Sequence, residues 1–226
     1  MKNLFFLCLT LGILLLSSCV KEPKPQPVGD AYMKAVNTVS GSIAQDFYMN
    51  GARKNSASIA YGQYTPYITI TSGDAQFAFA DAGTISGAAN AATDLLGVPI
   101  GAYATVFYIK VRDVSTSKDA FFAAAYADDM TPPAAVGKAK IRVINLNSIL
   151  NKPISVMSGT KEVLSAIPFG KSSAYIEVDP DSKFTFKGEG VTTSLEIGGE
   201  FVVNKNYTIW VDGTAATELT GHIIAQ

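Results

Sequence analysis

Slid against itself by 108 positions, the sequence matches without a gap between residues 31–67 and 139–175, with eight identities in 37 pairs. About two would arise by chance. The identical pairs are Ala31/Ala139, Asn37/Asn145, Ser40/Ser148, Met49/Met157, Gly51/Gly159, Ile59/Ile167, Gly62/Gly170 and Tyr67/Tyr175. Lys34/Arg142, Val36/Ile144, Arg53/Lys161 and Tyr61/Phe169 are conservative. Turn glycines and apolar parity repeat together, so the chain carries one module twice, and a fold assigned to one half must suit the other.

Each copy reads as strands. In residues 139–145, Ile141 and Val143 alternate with Lys140 and Arg142, the period of two that sends them to opposite faces. Residues 31–37 keep the same parity. Residues 47–51 form a short strand ending in Asn50-Gly51, a pair that accepts positive φ cheaply. Strands are expected at 67–71 and 76–80, with Ser72-Gly73-Asp74 turning between them. In the second copy Asp179-Pro180-Asp181-Ser182 suits a type I turn, and Phe184 and Phe186 then point inward. Residues 103–111 and 207–211 match at a slightly smaller offset and are continuously apolar, as a strand buried on both faces should be. Trp210 aligns with Phe107 and is expected in the core. The Gly- and Ala-rich stretch 83–101 reads as a long connection with one poor strand. Six to eight short strands per module predict an all-β chain of two tandem antiparallel sandwiches.

Lys2, an apolar run from Leu4 to Leu16, and Leu16-Ser17-Ser18-Cys19 form the leader. The run is short of the roughly 20 residues of a membrane-spanning helix and reads as a secretory signal. Small residues before Cys19 resemble a lipobox, with cleavage before the Cys and acylation of it. Several acyl chains on one residue make a firm membrane anchor. Cys8 leaves with the signal, so the mature chain has no disulfide framework, cysteine metal site or thiol nucleophile. Prolines 23, 25 and 27 alternate with charged and polar residues as a polyproline-like tether. The expected organisation is a signal peptide at 1–18, lipidated Cys19 and tether at 19–30, module one at 31–127, a linker at 128–137 and module two at 138–226. Val20 is not the aspartate associated with inner-membrane retention, which favours the outer membrane of a bacterial envelope; the leaflet stays open.

Composition narrows function by exclusion. Basic residues number 18 against 19 acidic, with no cluster able to displace counterions from phosphates, so no nucleic-acid partner is expected. His222 is the only histidine and no Gly-x-Ser-x-Gly elbow occurs, so it reads as a surface or edge-strand residue and not a catalytic one. Asp128 and Asp129 in the linker and Asp179 and Asp181 in a turn read as solvated acids, not as a glycosidase pair or a calcium site. Neither cofactor nor metal is expected. Tyr61, Tyr64 and Tyr67 recur every third residue, whereas inward strand positions recur every second, so at least one ring should face outward. The second copy keeps Tyr61 and Tyr67 as Phe169 and Tyr175 but replaces Tyr64 with Ser172, which singles out Tyr64. Such a cluster can stack on a sugar or anchor a surface protein.

The stretches Phe-Tyr-Met-Asn-Gly at 47–51, Ile-Ala-Tyr-Gly-Gln-Tyr-Thr-Pro-Tyr at 59–67, Asp128-Asp129 with Pro132-Pro133, and Gly-Lys-Ala-Lys-Ile-Arg-Val-Ile-Asn at 137–145 resemble the domain-of-unknown-function family numbered 4397. The resemblance implies immunoglobulin-like modules, commonly in tandem, in exported bacterial proteins and often in lipoproteins of Bacteroidota. It carries no catalytic residues. The second copy departs at 155–159, which lacks the aromatic, and at Pro168-Phe169-Gly170. The expectation is a non-enzymatic envelope lipoprotein that displays two modules for binding or surface assembly, or alternatively a glycan-binding accessory using residues 61–67.

Overall fold

The structure, a computed structural model, describes residues 27–84, 89–113, 115–116 and 118–226. The expected signal peptide, Cys19 and the expected tether up to residue 26 lie outside the described residues. The first half contains β1 (Asp30–Asn37), β2 (Gln45–Met49), β3 (Ala52–Arg53), β4 (Ile68–Thr71) and β5 (Gly73–Ala75). It continues with β6 (Phe77–Asp81), β7 (Ala91–Ala92), β8 (Leu96–Val98), β9 (Tyr103–Asp113) and β10 (Lys118–Ala127). The second half contains β11 (Ala139–Asn145), β12 (Ile154–Ser158), β13 (Lys161–Ile167) and β14 (Ile176–Val178). It ends with β15 (Lys183–Gly188), β16 (Leu195–Gly198), β17 (Asn206–Asp212) and β18 (Thr220–Ala225).

Both halves are two-layer sandwiches of one topology. Sheet β10-β9-β1-β4 faces β3-β2-β6-β7 in the first, and β18-β17-β11-β14 faces β13-β12-β15-β16 in the second. The first module adds a two-stranded ribbon, β5-β8. That ribbon corrects two expectations. Residues 72–74 do not turn a hairpin: β4 lies in one sheet and β6 in the other, and Gly73–Ala75 pairs with β8 on the way across. Among its described residues, the stretch 83–101 holds two short strands, β7 and β8, where one was expected.

Pairing is antiparallel except for one ladder per module. β1 runs parallel to β9, from Tyr32↔Tyr103 to Asn37↔Tyr108, and β11 runs parallel to β17, from Lys140↔Asn206 to Asn145↔Val211. Side-chain alternation reports faces but not strand direction, so this ladder left no trace in the pattern. Its consequence did: β17 is buried along its whole length, and β9 from Ala104 to Ile109.

The repeat is reproduced bond by bond. Asn37 Nδ2 donates to the Ile59 carbonyl (3.0 Å), and its Oδ1 accepts from the Val39 N–H. Asn145 does the same with the Ile167 carbonyl (3.0 Å) and the Asn147 N–H. Gly62 and Gly170, at φ 79° and 71°, donate their N–H groups to the carbonyls of Asn37 and Asn145. These two glycines turn the chain in the left-handed region, which a Cβ disfavours. A buried side-chain amide that satisfies a loop carbonyl fixes the loop against the strand, which explains why this Asn is kept in both copies.

Three apolar clusters result. Met33, Phe47, Phe77, Phe79, Val106 and Tyr108 fill the first sandwich, and Ile141, Ile154, Phe184, Phe186 and Ile209 the second. The third lies between the modules, with Val36, Phe107 and Ile109 from one side and Ile144, Leu146, Trp210 and Ile224 from the other. Trp210 is completely buried, but between the sandwiches and not inside one. Alternation in β1 and β11 therefore separates two interiors: odd residues face a sandwich core, even ones the neighbouring module.

Candidate functional site

Even residues of β1 and β11 include three cations, Lys34, Lys140 and Arg142, and the first and last of these cross the module boundary. Lys34 Nζ donates to the Ala225 carbonyl of the second module (2.5 Å), and Arg142 Nη1 donates to the Ala127 carbonyl of the first (2.5 Å). Lys34 and Arg142 are repeat equivalents, and Ala127 and Ala225 hold the same place, opposite Ala104 in β9 and Tyr207 in β17. The contact is thus reciprocal, as in an isologous two-fold interface, within a single chain.

Around it the polar groups are closely paired. Arg142 Nη2 bonds Asp128 Oδ1, Arg142 Nε donates to Thr208 Oγ1 (2.8 Å), and Thr105 Oγ1 donates to Asp128 Oδ2 (2.7 Å). The two charged side chains are 4% and 0% exposed. Asp129 accepts from Lys140, and that bond, with the Thr131 hydroxyl, pulls its carboxyl down to about 2. Asp128 is therefore not a solvated linker acid, and Asp129, with its side chain 36% exposed, is held in an ion pair at the surface. The chain leaving β10 is fastened to the second module by its first two residues.

The tyrosines divide as their spacing requires. Tyr67 donates its hydroxyl to Asp128 Oδ2 (2.8 Å), lies beside the Gln226 side chain, and presents its ring to Lys34 Nζ at 4.3 Å. Burial, then the Asp128 charge and hydrogen bond, raise its phenol well above the usual range. Desolvation drives Lys34 the other way, to about 8, against the attraction of Asp128. Tyr61 donates to Asp212 Oδ2 (2.8 Å) and sits 3.2 Å from His222 Nε2. Burial first, then Asp212, raises its phenol too. Both rings are half-buried at the module boundary.

Tyr64 faces out and is 43% exposed. Its backbone bridges to Val36 on the same turn that carries its neighbours inward. It borders a surface groove of about 260 Å³ with Lys54, Asn55, Ser58, Gln63 and Pro66. In the second module Ser172 bridges to Ile144 at the equivalent place and supplies no ring.

His222 is on an edge strand but not at a free surface. Its ring stacks on Trp210 with centroids 3.8 Å apart and planes within 6°, and Nε2 lies 3.7 Å from Asp212 Oδ1. The hydroxyl beside this ring is that of Tyr61, which uses its proton on Asp212. Among the described residues, no set of three or more His, Cys, Asp or Glu side chains is placed to hold a metal ion. Asp179 pairs with Lys138 at 2.7 Å on the surface.

The Lys34–Arg142 exchange and the Asp128 contacts were missed in the sequence. The available signal was a basic residue kept at one position of both copies, on the strand face opposite the core.

The family model for a domain of unknown function (DUF4397) matches residues 31–151, more than half of the chain. The chain belongs to the DUF4397 family. The matched span covers the first sandwich, the connection and β11, so the DUF4397 segment contains every first-module partner of the reciprocal contact, together with Arg142. No curated protein matches the chain.

Proposed function

We propose that this DUF4397 protein is a non-enzymatic, lipid-anchored component of the bacterial envelope, probed best as a binding platform. One observation carries the reading. Tyr61, Tyr67, Asp128 and Arg142 are engaged in joining the modules, and Tyr64 is an exposed tyrosine that borders a groove. Anchoring rests on Cys19 at the end of the apolar leader, with the proline-alternating tether as spacer and the outer membrane as the favoured location. Mass spectrometry of the mature protein tests it: an acylated Cys19 at the N-terminus is expected, and an unmodified N-terminus elsewhere removes the anchor.

A sugar is the favoured ligand class for the groove. An exposed tyrosine ring supplies a stacking face, and Asn55, Ser58, Gln63 and Lys54 supply polar groups along its border. A glycan array probed with the wild type and Tyr64→Ala should show binding that the variant loses. Absence of binding by both, or equal binding by both, removes the sugar reading and leaves the anchored platform standing.

A further inference from the structure

The four main sheets end in eight edge strands, and seven of them are blunted. β3 and β7 have two residues, β14 three, β4 and β16 four. β13 is interrupted by register shifts against β12. β18 has six residues and carries His222 and Ile224 into the module boundary. β10 differs: ten residues, no proline, and unbroken register against β9 from Lys118↔Asp113 to Ala127↔Ala104. It is exposed from Lys118 through Phe122, with Phe121 at 38% and Phe122 at 50%. Long, flat, apolar edges are what folded proteins ordinarily avoid, because their backbone groups pair with another strand.

Alternation fixes which groups are available. The Asp128 N–H donates to the Tyr103 carbonyl, in register with the β9–β10 ladder, so even residues of β10 bond to β9. The N–H and C=O groups of Asp119, Phe121, Ala123 and Ala125 point away from it, and no strand pairs with them among the described residues; the Ala127 carbonyl is taken by Arg142. We propose that β10 pairs antiparallel with β10 of a second copy of this chain, giving a two-fold dimer with a sheet continuous across both molecules.

Self-complementarity argues for this occupant. An antiparallel partner must set outward-pointing residues opposite one another, so odd faces odd, and each side chain then meets one on its own sheet face. Centred on Phe122, the register sets that ring against Phe122 of the second copy in a non-hydrogen-bonded pair, where side chains approach most closely. Phe122 lies opposite Ile109 on the face of the apolar cluster between the modules, so the new contact continues that interface. The strand's charges are Lys118 and Asp119, which cancel; Asp119 is already held by Arg112 at 3.1 Å. The eight uncharged residues that follow therefore match a strand like themselves and offer a charged peptide nothing. The dimer is independent of the sugar reading.

Light scattering on the full chain in mild detergent, at up to about 100 μM, should give a dimer. Ala123→Pro removes an outward donor while leaving the β9 ladder intact, and should weaken the dimer at least roughly tenfold with an unchanged circular dichroism spectrum. Phe122→Cys, in a Cys8→Ser, Cys19→Ser background, should give a disulfide-linked dimer under mild oxidation, and Tyr64→Cys in the same background should not. The crosslink decides the matter if the proline variant fails to fold. A monomeric wild type, a dimer that survives Ala123→Pro, or crosslinking equal at Phe122 and Tyr64 would overturn the proposal.

Discussion

Arg142 and Asp128 are nearly sealed from water, a situation in which each charge depends on the other. Removing one partner strands the other, so Asp128→Ala should lower stability by about 3–5 kcal/mol in urea unfolding. The double variant Asp128→Ala, Arg142→Met should recover most of that loss, since no uncompensated charge remains. Additive losses would show that the pair acts as two separate contacts. Lys34 makes the opposite demand. Burial depresses its ammonium to about 8 from 10.5, so between these values the unfolded chain holds more protons than the folded one. Stability then rises with pH across that interval. Tyr61 and Tyr67, whose phenols are raised, oppose this above their ordinary value of 10.0. Melting temperatures from about pH 7.5 to 9.5 should therefore climb for the wild type relative to Lys34→Met; parallel curves would refute the assignment.

At the scale of elements, the strands whose residues alternate or run continuously apolar were legible: β11, β15 and β17 sit where the pattern put them. Phe184 and Phe186 point inward for the same reason. The ribbon β5-β8 was not legible, because Gly73–Ala75 and Leu96–Val98 are too short to show a period. The tyrosine segment was legible in part. A spacing of three against a strand period of two required the rings to diverge, but not that two of them would find acids on or beside the second module. Turn chemistry is testable here. Gly198 has φ 123°, and a Cβ there would stand 2.2 Å from the Ser182 carbonyl oxygen, whereas Gly159, at φ 58°, has open space. Gly198→Ala should cost about 1–3 kcal/mol or more, and Gly159→Ala no more than about 1 kcal/mol. Thermal melts that rank them the other way would contradict the geometry.

Across the whole molecule, the boundary cluster makes two sandwiches one folding unit. Val36, Phe107, Ile144 and Trp210 are fully buried in the cluster that both modules build. Urea unfolding followed by tryptophan fluorescence and by far-ultraviolet circular dichroism should give coincident single transitions. Trp210→Ala should destabilise the chain by about 3–5 kcal/mol, and two separated transitions in the wild type would show that the modules fold alone. The duplication followed from the self-match of the sequence, and the all-β class, the sandwich layers and the inward aromatics from local periodicity, which reports how each side chain meets its own sheet. Docking, the parallel ladder and the burial of Lys34, Asp128 and Arg142 depend on contacts between residues far apart in the chain. Such contacts leave no periodic mark. A cation facing water and a cation facing another module alternate in the same way along a strand, and only the packed molecule tells them apart.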